Sequence, residues 1–352
     1  MTESVGNRPY AIPLRVCTDQ YVNGEGGRYQ ANFPEVVGPA PTMTRLARQF
    51  DGFSRLAQHP RNQLEGTAMM NIRLVGEQIG VEVSGIDVKT MSDADFAKIY
   101  QAWIDHNILV VKGQDLTIPD FLVYSRRFGI VNPHPSKSTR HPDYPDITML
   151  GVGKFDSKGQ LNEAIYRRGA EGWHTDGAYD EVPFKATQLY ALAIPDTGGD
   201  TLFASGYAAY EALPQKLKER LDGVIGGFTY GGRRKNQALL NPEDRDWQPV
   251  FHPIVRTHRE SGRKSLYFDP GKIVYFQGMS DAENEDLIKE LTGYMIQPAG
   301  EYRHKWAVGD IVIWDNRCSY HKAAGDYPPD QDRIHWRVSI KDWEEAGKMA
   351  AE

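Results

Sequence analysis

Apolar and polar positions alternate in short blocks through most of this chain, and the regular pattern starts near Met70. NIRLVGEQIGVEVSGIDV reads as short strands broken by glycines. Ser92 opens a different pattern. In SDADFAKIYQAWIDHN the residues Phe96, Ile99, Tyr100, Trp103 and Ile104 recur at helical spacing, and Asp95 lies three after Ser92 as in a capping box. One apolar stripe predicts a helix packed on a sheet. ILVVK (108–112) is then a buried-strand run, and Thr117 with Pro119 opens a second helix ending near Phe128. From Ala186 onward strands dominate: ATQLYALAI, DTLFAS, SLYFD, IVIWD and IHWRVSI. Two helical interruptions are predicted among them. One covers 206–221 and is split by Pro214; the other starts at Ser280, with Glu283 as capping partner and Leu287, Ile288 and Leu291 on one face. Many short strands without regular alternation of strand and helix predict a mainly β fold with flanking helices, an antiparallel sandwich or barrel of jelly-roll type.

Residues 1–68 break this rhythm. They are rich in Pro, Gly, Asn and Gln, with FPEVVGPAPT in the middle and one helical stretch around Met43 to Leu56. They predict an arm, suited to covering an edge of the core or reaching a neighbouring subunit, ahead of one domain over 69–345.

The 352 residues, 40% hydrophobic and 25% charged, are ample for one large core or two small ones, so size does not decide the domain count. No stretch approaches the ~18 apolar residues that span a bilayer, and MTESVGNRPY lacks the basic and apolar regions of a secretory signal. A cytoplasmic protein without a membrane partner is expected. Two cysteines, Cys17 and Cys318, exclude a disulfide scaffold and a thiolate zinc site. A net charge of -6 argues against a general nucleic-acid binder but leaves room for a local basic pocket that holds a small anion.

A metal site without cysteine needs imidazoles and carboxylates brought together. His174 and Asp176 flank Thr175 in GWHTDGAY; in extended backbone these two side chains point to one side and can grip one ion. Two other triplets serve as controls. His141-Pro142-Asp143 lies in RHPDYPD, a proline-rich turn, and His258-Arg259-Glu260 lies in RTHRESGRK, a charged hairpin tip. Both are expected as solvated loops. The His174 triplet differs because Gly172-Trp173 and Gly177 frame it. Further on, VGDIVIWDNRCSYHKAAGDYPPDQDRIHWRVSIK places an apolar strand, a polar corner at Asp315 to Arg317, then His321, then a second strand. Two histidines and one carboxylate can occupy one face of an iron(II) octahedron and leave three positions open; His174, Asp176 and His321 supply that set.

The strand RIHWRVSIK alternates, with Ile334, Trp336, Val338 and Ile340 on one side and Arg333, His335, Arg337, Ser339 and Lys341 on the other, as in a half-exposed strand. Arg333 and Arg337 share a face, ~13 Å apart along the backbone at roughly 3.3 Å per residue, so they are expected to serve two anions.

These segments resemble the taurine dioxygenase and 2,4-dichlorophenoxyacetate dioxygenase (TauD/TfdA) family of iron(II)- and 2-oxoglutarate-dependent dioxygenases. The resemblance runs through IGVEVSGIDV, RRFGIVNPHP, GWHTDGAY, TGGDTLFASGYAAYEAL and WDNRCSYHKAAGDYPPDQDRIHWR, roughly residues 70–340 in the family's order. It implies a double-stranded β-helix of cupin-like type, Fe(II), and 2-oxoglutarate and O2 as co-substrates. Position by position, His174, Asp176 and His321 match the iron ligands, Thr201 and Arg333 match the groups that bind the distal carboxylate of 2-oxoglutarate, and Arg337 and His134 match substrate-side residues. Lys137 stands where the taurine enzyme has a tyrosine and Ala170 where it has an asparagine, which weakens taurine as the substrate. Together with Tyr179, the inventory His134, Lys137 and Arg337 suggests a small organic anion: a sulfonate, carboxylate, phosphonate or sulfate ester. The implied reaction releases succinate and carbon dioxide while a C-H bond is oxidised, hydroxylation being the usual outcome. The resemblance also implies a homodimer or homotetramer. A zinc-dependent hydrolase using the same triad, or a non-catalytic jelly-roll binding domain, are the competing readings; neither explains Thr201, Arg333 and the triad together. Cys318, Trp173 and Trp336 are expected as packing residues and GGRRK (231–235) as a solvated loop, while Arg167-Arg168 has no assigned role.

Overall fold

The computed structural model describes residues 70–133, 139–152, 160, 172–233 and 248–343. These all lie in one compact unit, Asn62–Glu352. The arm over 1–68, with its helical stretch, falls outside the described residues, as do His134, Lys137, Arg167, Arg168 and Ala170.

Strands β1 (Asn71–Leu74) and β2 (Val81–Ser84) are followed by helix α1 (Asp93–His106), β3 (Ile108–Val111), α2 (Ile118–Arg126), β4 (Ile130–Asn132) and β5 (Thr148–Leu150). The chain continues through β6 (Phe184–Ala193), β7 (Thr201–Ser205), α3 (Gly206–Ala212), α4 (Gln215–Arg220), β8 (Ile225–Phe228) and β9 (Val250–Pro253). Then come β10 (Val255–Thr257), β11 (Lys264–Leu266), β12 (Ile273–Phe276), α5 (Asp281–Tyr294), β13 (Glu301–His304), β14 (Ile311–Asp315), β15 (Ser319–Ala323) and β16 (Ile334–Lys341).

The helices start where the sequence supplies caps. Ser92 accepts from the Asp95 N–H at the head of α1, and Thr117–Asp120 and Ser280–Glu283 form reciprocal boxes at α2 and α5. Asn107 ends α1 at φ 66°, and its buried side-chain amide donates to the Cys318 carbonyl at 3.1 Å, tying the helix to the segment before β15. Among the described strands the largest sheet runs β1-β2-β3-β14-β6-β16-β4, with β5 also on β16. Its β2–β3 pair is parallel across the α1 crossover, and the other described pairings are antiparallel. A facing three-stranded sheet runs β13-β7-β15. This is a mainly β jelly roll with flanking helices. Between the sheets lie Ile108, Val110, Leu189, Phe203, Val312 and Trp314; a second apolar cluster joins α3, α4 and α5 to β8, β11 and β12. No helix among the described residues is long and apolar enough to cross a membrane.

Several expectations need correction. β15, which carries His321, is a strand, and SLYFD contributes only its first residues to one; strands of three to five residues are too short for periodicity to register. β16 alternates as expected, with Trp336 stacked near Tyr190 and Phe121 on the helix side. Its other face is covered as well: His335 and Ser339 are buried and the Trp306 ring packs on His335. At the hairpin tip Arg259 and Glu260 are exposed as expected, but His258 is not. The tip folds onto the end of β14, where His258 is buried against Asp315 and Glu260 pairs with Arg317, because buried ions must be matched by partners. In GGRRK, Gly231 and Gly232 are buried and Arg233 pairs with Glu285. RHPDYPD is the surface turn anticipated, with the His141 ring accepting the Asp143 N–H at 3.1 Å.

Candidate active site

His174 and His321 are joined backbone to backbone: the His174 N–H donates to the His321 carbonyl at 3.1 Å and the His321 N–H returns to the His174 carbonyl at 2.9 Å. Residues directly opposite in an antiparallel bridge project to one side, and their rings lie 4.2 Å apart. The extended backbone then alternates as the triplet requires. Thr175 turns away to donate to the Asn316 carbonyl at 2.8 Å, and Asp176 returns to the histidine side. Gly177 follows at φ +76°, where a Cβ would meet the Phe184 ring at 2.5 Å, so only glycine lets the chain leave the site this way. One ligand-capable atom each from His174, Asp176 and His321 falls within 4.8 Å of the others.

The protonation states favour coordination. His174 Nδ1 lies 3.0 Å from the Gly172 carbonyl, which places the proton on Nδ1 and leaves the Nε2 lone pair for the cluster. Burial and the neighbouring His174 hold His321 well below the ordinary histidine value, so it is neutral. Burial works to raise the Asp176 carboxyl, but Arg337, His321 and His174 outweigh it and keep it ionised far below the usual carboxylate range. Two imidazoles and one carboxylate are a donor set for a divalent first-row metal.

Two residues orient Asp176 that the sequence reading missed. Thr187 Oγ1 donates to Asp176 Oδ2 at 2.7 Å, and Asn316 donates its amide to Thr187 at 3.0 Å while accepting the Asp176 N–H at 3.3 Å. Such partners fix a ligand's orientation and its basicity. Thr187 sits inside an ordinary strand pattern and Asn316 inside a corner; nothing in local sequence marks either.

Thr201 and Arg333 are in direct contact. Arg333 Nη2 donates to Thr201 Oγ1 at 3.1 Å and Nε donates to the Gly199 carbonyl at 2.6 Å. Gly199, at φ +73°, leaves room for the arginine stem, since a Cβ there would meet Arg333 Cδ at 3.2 Å. Trp306 Nε1 also donates to Thr201 Oγ1, at 3.0 Å, so the hydroxyl accepts twice and its own proton has no acceptor among the described residues. Arg333 has no carboxylate within ion-pair distance among those residues either; burial without a counter-ion lowers its pKa to about 10. Register fixes the spacing of the two groups. His321 pairs with Phe203 and Ala323 with Thr201, so the hydroxyl lies two residues along one strand face from the metal-competent histidine. That step is ~7 Å.

Arg337 Nη2 lies 2.9 Å from Asp176 Oδ1. Tyr179 is buried edge-on to Tyr230 with the Lys272 ammonium 5.6 Å from its ring centre, and burial raises its hydroxyl pKa. Cys318 is buried as expected, and Trp173 packs against the helical-side apolar cluster. His258, Asp315 and Cys318 form a second group with ligand-capable atoms within 4.8 Å.

Residues 71–339 match the model of the family described as taurine catabolism dioxygenase TauD, TfdA family. An (S)-phenoxypropionate/alpha-ketoglutarate-dioxygenase of Sphingobium herbicidovorans is 31% identical, over 78% of this chain and 93% of its own length. An alpha-ketoglutarate-dependent 2,4-dichlorophenoxyacetate dioxygenase of Cupriavidus pinatubonensis is 30% identical, over 68% of this chain and 87% of its own. The crystal structure of AAD-2 in complex with Mn(II) and N-oxalylglycine superposes with a TM-score of 0.63 at 26% identity, covering 78% of this chain and 98% of that one.

Proposed function

The chain belongs to the taurine catabolism dioxygenase TauD, TfdA family, and from that membership we propose that His174, Asp176 and His321 hold iron(II), that Thr201 and Arg333 hold the far carboxylate of 2-oxoglutarate, and that the substrate is a small organic anion. The protein is an alpha-ketoglutarate-dependent dioxygenase, an oxidoreductase. The observation that carries the assignment is the ~7 Å step along one strand face between the His321 register and Thr201, a gap a five-carbon dicarboxylate bridges with one end at the metal and the other at the guanidinium.

Iron(II) held by His174, Asp176 and His321 would supply the oxidising chemistry by which 2-oxoglutarate and oxygen give succinate and carbon dioxide while a C–H bond of the substrate is oxidised. The chain's own residues contribute position. The two histidines and ionised Asp176 present three donors on one side, and Thr187 and Asn316 keep the carboxylate from rotating. Thr201 donates its remaining proton to the carboxylate that Arg333 neutralises. Arg337 holds Asp176 with one of its five N–H groups; the others are available to the substrate's anionic group, with Tyr179, His134 and Lys137 as further substrate-side residues. Two relatives named for carboxylate substrates, phenoxypropionate and 2,4-dichlorophenoxyacetate, favour a carboxylate within the wider class of sulfonates, carboxylates, phosphonates and sulfate esters.

A screen of such anions monitored by succinate release tests this reading. Release is expected to require iron(II), oxygen and 2-oxoglutarate and to rise with one member of the panel. Zinc-supported turnover without oxygen overturns it.

A further inference from the structure

His335 has no assigned role, yet like Gln188 it is fully buried with no hydrogen-bond partner for any polar side-chain atom among the described residues. It is 0% exposed, and neither ring nitrogen has a hydrogen-bond partner. Buried polar groups in folded proteins are almost always paired, and each exception calls for an explanation such as a bound molecule. Its place in the sheet supplies one. β16 alternates faces, so His335 projects with Arg337 toward the jelly-roll interior, two residues from Arg337 on one side and two from Arg333 on the other. Its backbone pairs with Ala191, a member of the same interior apolar cluster as Phe203 and Trp306. The ring packs edge to face on Trp306 at 4.4 Å, and the Trp306 indole N–H donates to the Thr201 oxygen that Arg333 also contacts.

We propose that His335 is a co-substrate-binding residue whose imidazole N–H donates to the far carboxylate of 2-oxoglutarate, beside Thr201 and Arg333. The inference rests on the assignment of Thr201 and Arg333 made above. The charge balance agrees with it. Burial, Arg333 and His304 hold the imidazole well below the ordinary histidine value, so it adds a donor without adding a charge. A single carboxylate is then met by one cation, Arg333, and by two neutral donors, the Thr201 hydroxyl and the His335 ring. A carboxylate offers about four lone-pair sites, enough for all three. The Trp306 ring, which packs on His335 and donates to Thr201, places the imidazole at the Thr201 end and not at the metal ligands.

The test is calorimetric titration of 2-oxoglutarate into the manganese(II)-loaded protein, which needs no turnover, with three variants. His335→Leu removes both nitrogens at similar volume, His335→Gln keeps a donor, and Arg333→Leu checks the reading on which the proposal rests. The expected result is a dissociation constant raised about tenfold or more in His335→Leu, the size of a lost hydrogen bond to a charged group, with His335→Gln within about threefold of the parent. Parent-like affinity in His335→Leu, beside a large loss in Arg333→Leu, overturns the role of His335 and leaves the co-substrate assignment standing. Equal losses in the Leu and Gln variants mean that the ring only fills space, and also overturn it. Parent-like affinity in Arg333→Leu overturns both. If His335→Leu does not fold, nitrogen NMR of the zinc-loaded parent decides: 2-oxoglutarate must shift the His335 imidazole resonance, assigned by its loss in His335→Gln, and an unmoved resonance refutes the contact.

Discussion

The cluster of His174, Asp176 and His321 and the cluster of His258, Asp315 and Cys318 each bring three ligand-capable atoms within 4.8 Å of one another, but their lone pairs go to different places. Asp315 accepts from Arg317 Nε at 2.9 Å, Arg317 Nη2 at 2.6 Å, the Arg317 backbone N–H at 2.9 Å and His258 at 3.0 Å. Four donors saturate a carboxylate. The His258 ring is used up as well, because its Nδ1 accepts the Ser261 N–H at 3.1 Å and Nε2 faces Asp315. Burial and the Asp315 charge push the Cys318 thiol well above its ordinary value, so no thiolate is on offer. Around this core Glu260 bonds the Tyr100 hydroxyl and Arg317, and Lys185 bonds Tyr100 at 2.8 Å. At the other cluster, the Nε2 of His174 has its lone pair uncommitted. What separates a metal-competent group from a structural ion network is therefore the coordination left over after the protein has satisfied itself.

Substitutions can break that contrast in order of size. His321→Ala or Asp176→Ala is expected to lower metal affinity and succinate formation by more than about 100-fold, because loss of an outer partner alone costs roughly 10–100-fold; near-normal metal titration would erase the distinction. Asp315→Ala is expected to behave oppositely, costing about 3–5 kcal/mol in urea denaturation by stranding Arg317 and His258 in the interior. Metal binding by the folded fraction should survive. Acid sharpens the comparison further. Burial opposes ionisation of Asp315, but Arg317 and His258 prevail and depress its folded pKa, as Arg317 and Lys185 do for Glu260. The stability they contribute is complete above the ordinary carboxylate range and is lost as pH falls below about 4, at roughly 1.4 kcal/mol per unit for each such group. Asp315→Asn should flatten that acid limb, measured by denaturation at stepped pH. The smallest effect is expected for Thr201→Val, about a tenfold rise in the 2-oxoglutarate dissociation constant with a stability loss of about 1–3 kcal/mol, because the buried Trp306 N–H loses its acceptor; calorimetry reads both affinity and fold.

Much of the fold was legible in the sequence because its helices carry caps and its longer strands carry patterns. Ser92, Thr117 and Ser280 begin helices where their spacing says they should. The short strands β4, β5, β8 and β13 were not legible, since three or four residues hold too little periodicity. Among candidate site residues, His174 and Asp176 were readable from an extended triplet, and Arg333 and Arg337 from one strand. The His258 triplet looked like a weaker copy on an exposed tip. Its true setting depends on Asp315, which reaches it only through the tertiary fold. Thr187, Asn316 and His335 were invisible for the same reason: their significance lies in what stands across from them.

The paired backbone hydrogen bonds between residues 174 and 321 also set a time for metal loading. During synthesis a domain's residues emerge in order, and the earlier histidine and Asp176 wait, without their third partner, until β15 has been made. A nascent chain stalled before that strand holds only two of the three proposed donors and should release any ion it meets. On the assignment proposed above, metal capture becomes one of the last events of maturation.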